Sequence, residues 1–521
     1  MKKQKPNKIM KKLLALISIC AVLLSAGCKD PDPTPPTPDP EPEQPTFLTF
    51  SIKKAQNSTL TEDLTFTADE NGVFVCKVPY YVDRKELIPT FTVPAGCTVI
   101  AQSKTQISGK TAVNLSQPVV YSLLVTGGKT VPVTVKFEIG YQGLSGLPVV
   151  VINTDKNQAI KDKDTWIPAK MMIDDGQGAT LFEEADAEVK GRGNTTWSYA
   201  KKPYAIKLGS KAKVLGMPKH KRWVLLASWN DKAMMRTDLT FFMAQQYTTL
   251  RWKQRGEAVE LVLNGEHLGH YYLCEQIKVD ENRVPDGYVL EIDYRAKDAN
   301  GDIFFKSDIS QLNFVLKDPE PDKGSDEYNY AKNYINKAEK DLKEGNVASY
   351  RSYIDMESFV DWYLNQEFSM NMDANFFLSV YMNIGEDGKL YMGPLWDFDI
   401  AFGNDVFDTN DNKIPEGFYI YNTDKSKLWM KVLRNDPQFI ALLKERYAAM
   451  RADKDKILAH IDDVAAKQRE SAVLNDMKWN KLCKAGSSRD KILKAYDAEV
   501  QFLKDWVEGR FAWLDENIPN L

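Results

Sequence analysis

Histidine is scarce in this chain of 521 residues: His220, His267, His270 and His460 are all there is. No HExxH occurs, and His267 and His270, three apart on an expected hairpin, fall on opposite faces. This argues against a histidine triad or a His-rich metal site, so acid–base and metal chemistry falls to carboxylates, lysines and backbone. Cysteine is thin too. Cys76, Cys97, Cys274 and Cys483 are too scattered for a zinc ligand set. A Cys76–Cys97 disulfide and a pair of buried free thiols are both open readings. No apolar run reaches the roughly 20 residues that a membrane-spanning helix needs. Positive charge is short once the first 28 residues are set aside. They hold six lysines and no acid, and without them 62 basic residues face 72 acidic ones, a net charge of −10. Bulk attraction to nucleic acid or anionic lipid is not expected, although a local basic pocket for a phosphorylated small molecule stays open.

What is present begins with a leader. Basic residues 1–12 precede the apolar run Leu13 to Leu24, which fits the core of a secretory signal peptide. It ends in Leu24-Ser25-Ala26-Gly27-Cys28, which resembles a bacterial lipobox. The resemblance implies cleavage before Cys28, lipid attachment to its thiol and anchoring in the outer membrane. Lys29-Asp30 is similar to a surface-export signal. Residues 29–45 hold eight prolines and five acids, so neither helix nor ladder is expected there. An extended spacer reaching about 50 Å is expected instead.

The remainder, 43% hydrophobic and 27% charged over the whole chain, has the composition of globular protein. Residues 46–140 read as short β-branched and aromatic strands punctuated by Gly, Pro, Asn and Asp, which suggests a small immunoglobulin-like sandwich. After a glycine-rich hinge at 140–146, a second unit spans 147–521. Its first half is strand-rich, with Leu147 to Asn153, Ala185 to Lys190, Tyr204 to Leu208, Arg222 to Ala227 and a hairpin turning at Asn264-Gly265. One helix is expected there, over 232–248. Beyond residue 325 helical periodicity dominates, over 326–344, 356–370, 428–451, 453–470 and 487–516, with a hairpin at 376–392. The fold class is α+β.

Carboxylates gather in one informative stretch. Asp397 and Asp399 flank Phe398 after Gly393-Pro394-Leu395-Trp396, and on a strand both would face the same side. Two carboxylates in an apolar run need a cation or a basic partner; oxygen ligands suit Mg²⁺. Upstream, Gly191-Arg192-Gly193-Asn194-Thr195-Thr196 sets two glycines astride a base, so that backbone amides could approach a phosphate. Lys207, in Tyr204-Ala205-Ile206-Lys207, needs an acid or a phosphate.

These segments, KGRGNTTW, KKPYAIKL, RWVLLASWNDKAMMR, LGHYYLCEQI and GPLWDFDIAFGN, resemble the CotH kinase family, from about residue 147 onward and thinly after 450. The resemblance implies an atypical two-lobed protein-kinase-like fold that binds ATP with Mg²⁺ or Mn²⁺ and phosphorylates hydroxyls of an unidentified exported protein. By motif, Asp397 holds the metal, Asp373 takes the catalytic acid position and Lys207 pairs the phosphates. Gly191, Arg192, Gly193, Asn194 and Thr195 cover them. Asn375, Asp399 and Glu367 are further metal or orienting candidates, and Glu275 is a partner for the lysine. No HRD precedes Asp373, and the glycine loop lacks a third glycine. Export also places the site where ATP is scarce. A non-catalytic adhesin or scaffold is the competing reading, and a carbohydrate-active protein the third.

Overall fold

The computed structural model describes residues 45–80, 82–298, 301–409, 412–420 and 428–521. The leader, Cys28 and most of the spacer lie outside the described residues.

The N-terminal strands form two sheets around one apolar core. A three-stranded sheet runs Leu64–Thr65, Thr49–Ile52, Pro89–Thr92. A six-stranded one runs Thr67–Ala68, Phe74–Pro79, Thr130–Gly140, Val119–Leu124, Thr98–Ala101, Lys104–Thr105. Alternate residues point inward, as in Phe74–Pro79, and Phe47 meets Phe50, Phe74, Phe91 and Tyr121 edge-on, an arrangement that aromatic quadrupoles favour. Cys76 and Cys97 are both free thiols, so the disulfide reading does not hold.

A closed barrel follows, in the order Val149–Thr154, Ile167–Asp174, Thr180–Gly191, Tyr204–Val214, Met217–Leu226, Glu266–Glu275, Gly256–Leu263; the last strand returns parallel to the first. Val150, Ile152, Met171, Val189, Ile206, Trp223 and Tyr271 fill it. The Asn264-Gly265 turn has positive φ at both residues, as a two-residue hairpin connection requires. The strand Ile167–Asp174 was not expected, because Pro168 and Lys170 obscure its buried alternation. A bulge corrects the histidine reading. The register slips between Leu261 and Val262, so Leu268 and Tyr271 both enter the barrel while His267 and His270 share the outer face beside Glu260.

The C-terminal half wraps helices around a second sheet, ordered Phe304–Lys306, Asn313–Asp318, Tyr288–Ile292, Val380–Ile384, Leu390–Met392. Helix Met356–Ser369 is buried almost all round, and its core joins Trp362, Phe368, Trp429 and Phe511. The helix expected over 428–451 breaks in two, Trp429–Leu433 and Pro437–Ala452. Asp436 caps the second through the Gln438 N–H, and Pro437 occupies its first turn. The helix Arg469–Trp479, unforeseen as a separate element, packs on the barrel strand Glu266–Glu275.

Candidate functional site

A cleft of about 440 Å³ opens between the outer face of the barrel and the strands Tyr288–Ile292 and Val380–Ile384. Barrel residues Lys190, Ala205, Leu226 and Tyr272 form one wall; Glu291, Asp293, Arg295 and Lys317 belong to the other. Asp373, Asp397 and Asp399 all reach it, as does the loop from Gly191 to Thr196. Sequence positions 180 residues and more apart thus meet in one place.

The two aspartates after Trp396 are not on a strand. They sit in an irregular segment following Met392, with Asp397 in the left-handed region at φ +67, a conformation that Asp tolerates better than most residues. Asn371 Nδ2 donates to the Asp397 main-chain oxygen at 3.1 Å, and the Ser379 hydroxyl to its Oδ2, also at 3.1 Å. Asn230 Nδ2, arriving from the barrel side, donates to Asp399 Oδ2 at 3.3 Å. The same-face expectation fails as geometry, yet both carboxylates line the cleft.

Burial raises all three carboxyls, and the charge of Asp397 adds to it for Asp373 and Asp399. Asp373 is pushed up to about 7, by burial first and then by the charge of Asp397, while the Arg295 guanidinium pulls the other way. Asp397 is raised by burial and held back by Arg192 and the Ser379 hydrogen bond. Asp399 stands well above the usual carboxylate range, through burial and then Asp397 and Asp373. Among the described residues, no three His, Cys, Asp or Glu side chains are gathered closely enough to form a ready-made metal cluster. The donor chemistry nevertheless fits a hard cation. Mg²⁺ commonly takes one or two carboxylates and completes its shell with phosphate and water oxygens. Asp397 and Asp399 are the residues placed to hold it, since each presents a carboxylate that crowding makes costly to ionise alone.

The loop's glycines have local reasons to be there. A Cβ on Gly191 would lie 2.4 Å from the Trp197 ring and 2.7 Å from the Asp162 carbonyl. Gly193 has φ +83, a conformation that side chains other than glycine's rarely adopt. The N–H groups of Gly191 and Arg192 already donate to the carbonyls of Asp162 and Pro203. Amides for a phosphate therefore come from Gly193, Asn194, Thr195 and Thr196. The Arg192 guanidinium lies 5.4 Å from the Trp396 ring centroid and within electrostatic reach of Asp397. It is the cation nearest the role that sequence reasoning gave to Lys207.

Lys207 itself stands outside the lining. It is one same-face step beyond Ala205 on its strand, and its Nζ is 2.6 Å from Glu188. Glu275 is not its partner: that buried carboxylate takes two bonds from the Arg255 guanidinium, each 3.0 Å, and faces Arg283. Asn375 and Glu367 also lie away from the cleft, the latter paired with the buried Arg510. Asp293, Arg295, Lys317 and Asn230 escaped sequence reasoning. Asp293, Arg295 and Lys317 sit in unremarked loops and strand ends that no motif sets apart, while Asn230 lies within the RWVLLASWNDKAMMR segment but was given no role there.

The chain belongs to the CotH kinase family: the model described as "CotH kinase protein" matches residues 189–514, from inside the barrel to the last long helix. The match starts later and runs further than the motifs alone suggest. No curated protein matches the chain. Among solved structures, a Bacteroides thetaiotaomicron protein provisionally described as a glycoside hydrolase is similar over 52% of this chain, at 12% identity and a TM-score of 0.17. The alignment spans 66% of that protein, just under two thirds, and at so low a score it carries no argument.

Proposed function

We propose that this protein is a phosphotransferase that moves the terminal phosphoryl group of ATP, with Mg²⁺ or Mn²⁺, onto a hydroxyl of an exported protein. The observation that carries the proposal is the convergence of Asp373, Asp397 and Asp399 on one cleft with Arg192 and the Gly193 to Thr196 amides. Family membership supports a kinase-like chemistry. Phosphoryl transfer asks for positioning and charge stabilisation, which carboxylates, a guanidinium and backbone amides supply without histidine. A divalent cation, when bound, would neutralise charge on the phosphate oxygens.

The chain's own residues then have distinct tasks. Asp397 and Asp399 hold the cation; Ser379, Asn371 and Asn230 fix their orientation. Arg192 and the loop amides orient the phosphates. Asp373, with its carboxyl near neutrality, accepts the acceptor's hydroxyl proton at Oδ. The two-lobed, kinase-like reading of the fold, the outer-membrane anchor at Cys28 and an immunoglobulin-like role for the N-terminal sheets as a spacer belong to the same proposal.

The competing reading is a non-catalytic surface scaffold. One experiment separates them. Residues 29–521 are incubated with labelled ATP, Mg²⁺ and a protein acceptor mixture, beside Asp397→Asn. Transfer by the wild type that the variant loses supports the enzyme. Equal counts in both, with no Mg-ATP binding by calorimetry, leave the scaffold.

A further inference from the structure

Beside one end of the cleft, the outer face of the barrel carries more positive charge than the chain pairs internally. Trp166 lies beside the barrel wall with three cations over its ring: Arg222 at 4.8 Å, Lys190 at 5.0 Å and Lys207 at 5.9 Å from the centroid. Glu188, Lys207 and Arg222 stand side by side on adjacent strands, one row from Lys190 and Ala205. Lys163 adds a further charge at the cleft edge. Of the acids nearby, Glu188 is committed to Lys207, and Asp162, which accepts from the Asp164 and Thr165 N–H groups, lies within electrostatic reach of Lys190. Asp164 is exposed at the rim. Among the described residues Lys163, Lys190, Arg192 and Arg222 form no ion pair, whereas Lys317 on the opposite wall pairs with Glu291 and the neighbouring Lys207 with Glu188.

Like charges held together repel, and cation–π contact with one ring offsets only part of that cost. The arrangement makes physical sense as the seat of an anion. Its direction says more. Arg192 stands by Asp397 just past the end of the strand Thr180–Gly191, Lys190 lies two residues back on that strand, and the Lys207–Arg222 pair one row further. Each same-face step is ~7 Å. A triphosphate whose reacting end sits at Arg192 is spent by about Lys190. Lys207 and Arg222 lie one row beyond it, within reach of a donor that continues past three phosphates.

The geometry points to a remote anion subsite, formed by Lys190, Lys207 and Arg222 around Trp166, that takes the far part of a donor with a phosphate chain longer than a triphosphate. This rests on the phosphotransfer reading of the cleft for its link to a donor. In such a transfer the acceptor oxygen bonds to the terminal phosphorus and the terminal P–O–P bond breaks. The shortened chain leaves with the electron pair, and the hydroxyl proton passes to Asp373. A donor of this kind also fits the export predicted from the leader, since ATP is scarce there.

The test is calorimetric, on residues 29–521, with inorganic tripolyphosphate and long-chain inorganic polyphosphate as probes. The wild type should bind the long chain about tenfold more tightly or better. In the double variant Lys207→Gln/Arg222→Gln that ratio should fall towards one; in Glu188→Gln, which frees Lys207, it should rise. Arg222→Gln alone, with an unchanged unfolding midpoint, guards against misfolding of the double variant. A wild-type ratio near one, a ratio unmoved in the double variant, or an equal fall on Lys129→Gln, an exposed lysine in the N-terminal sheets, overturns the subsite. The two readings fail separately. A long-chain preference without transfer from any donor retires the enzyme and leaves the subsite standing.

Discussion

The Ser379 hydroxyl donates to Asp397 Oδ2 at 3.1 Å, and Ser379 is itself held at φ +57. That contact anchors one oxygen of a carboxylate whose backbone is already left-handed. Residues that orient a metal-holding carboxylate are typically worth about 10–100-fold in affinity or activity. Ser379→Ala should therefore weaken Mg-ATP binding by about that factor. Asp397→Asn should remove transfer altogether while the protein stays folded. Calorimetry and a phosphoryl-transfer assay on the same preparations check both; an unaltered Ser379→Ala would show that the hydroxyl is dispensable.

Asp373 sets the expected pH dependence. Its carboxyl must be ionised to accept a proton, and its pKa is raised to about 7 by burial and by Asp397. The rate should climb with pH through the neutral range and level off above it. Arg295 lowers the Asp373 pKa, so Arg295→Gln should move the rising limb to higher pH. Asp373→Asn should flatten the profile at a very low rate. A limb that stays put in Arg295→Gln would assign the titration to another group.

The same crowding predicts a trade between stability and activity. A carboxyl whose pKa is raised on folding keeps its proton in the native state after the unfolded chain has lost its own. Its contribution is harmless below about pH 4 and becomes destabilising as pH rises through the raised value. Asp399→Asn removes one of the three charges, so it should stabilise the metal-free protein at pH 8 by ~1–3 kcal/mol while abolishing transfer. Urea unfolding at pH 5 and pH 8 checks the sign, since the gain should shrink at the lower pH. Added Mg-ATP should raise the wild-type midpoint and spare the variant.

How far the sequence was legible depends on how local each signal is. Helix Asp326–Glu344 was readable to the residue because Ser325 caps one end and Gly345, at φ +65, closes the other. The aspartates were conspicuous because carboxylates in an apolar run are costly without a purpose. Lys207 misled for an instructive reason. Strand period told which face it occupies, and it does share that face with Ala205, but period cannot tell how far along a strand a cleft extends. Asp293 and Arg295 were invisible because only the meeting of distant segments gives them a role, and Asn230, though inside a quoted motif, gains its role from the same meeting. The His267–His270 reading failed on a bulge, which adds one residue and turns the alternation over.

Arg236 makes a prediction about how the barrel side holds the segment that follows Asp399. Its guanidinium, 1% exposed, pairs with Asp231 at 2.5 Å and donates through Nε to the Ala401 carbonyl at 3.0 Å and through Nη2 to that of Phe402 at 3.4 Å. Ala401 lies two residues past Asp399, so one side chain fixes both the Asn230–Asp231 turn and the chain that bears Asp397 and Asp399. Arg236→Ala leaves Asp231 buried without its partner, which costs about 3–5 kcal/mol. Asp231→Asn combined with Arg236→Met removes both charges and should recover part of that loss in urea unfolding. It should not recover transfer, because the carbonyls of Ala401 and Phe402 lose their donors and the Asp399 segment is released. Recovery of activity along with stability would mean that the guanidinium serves the fold alone.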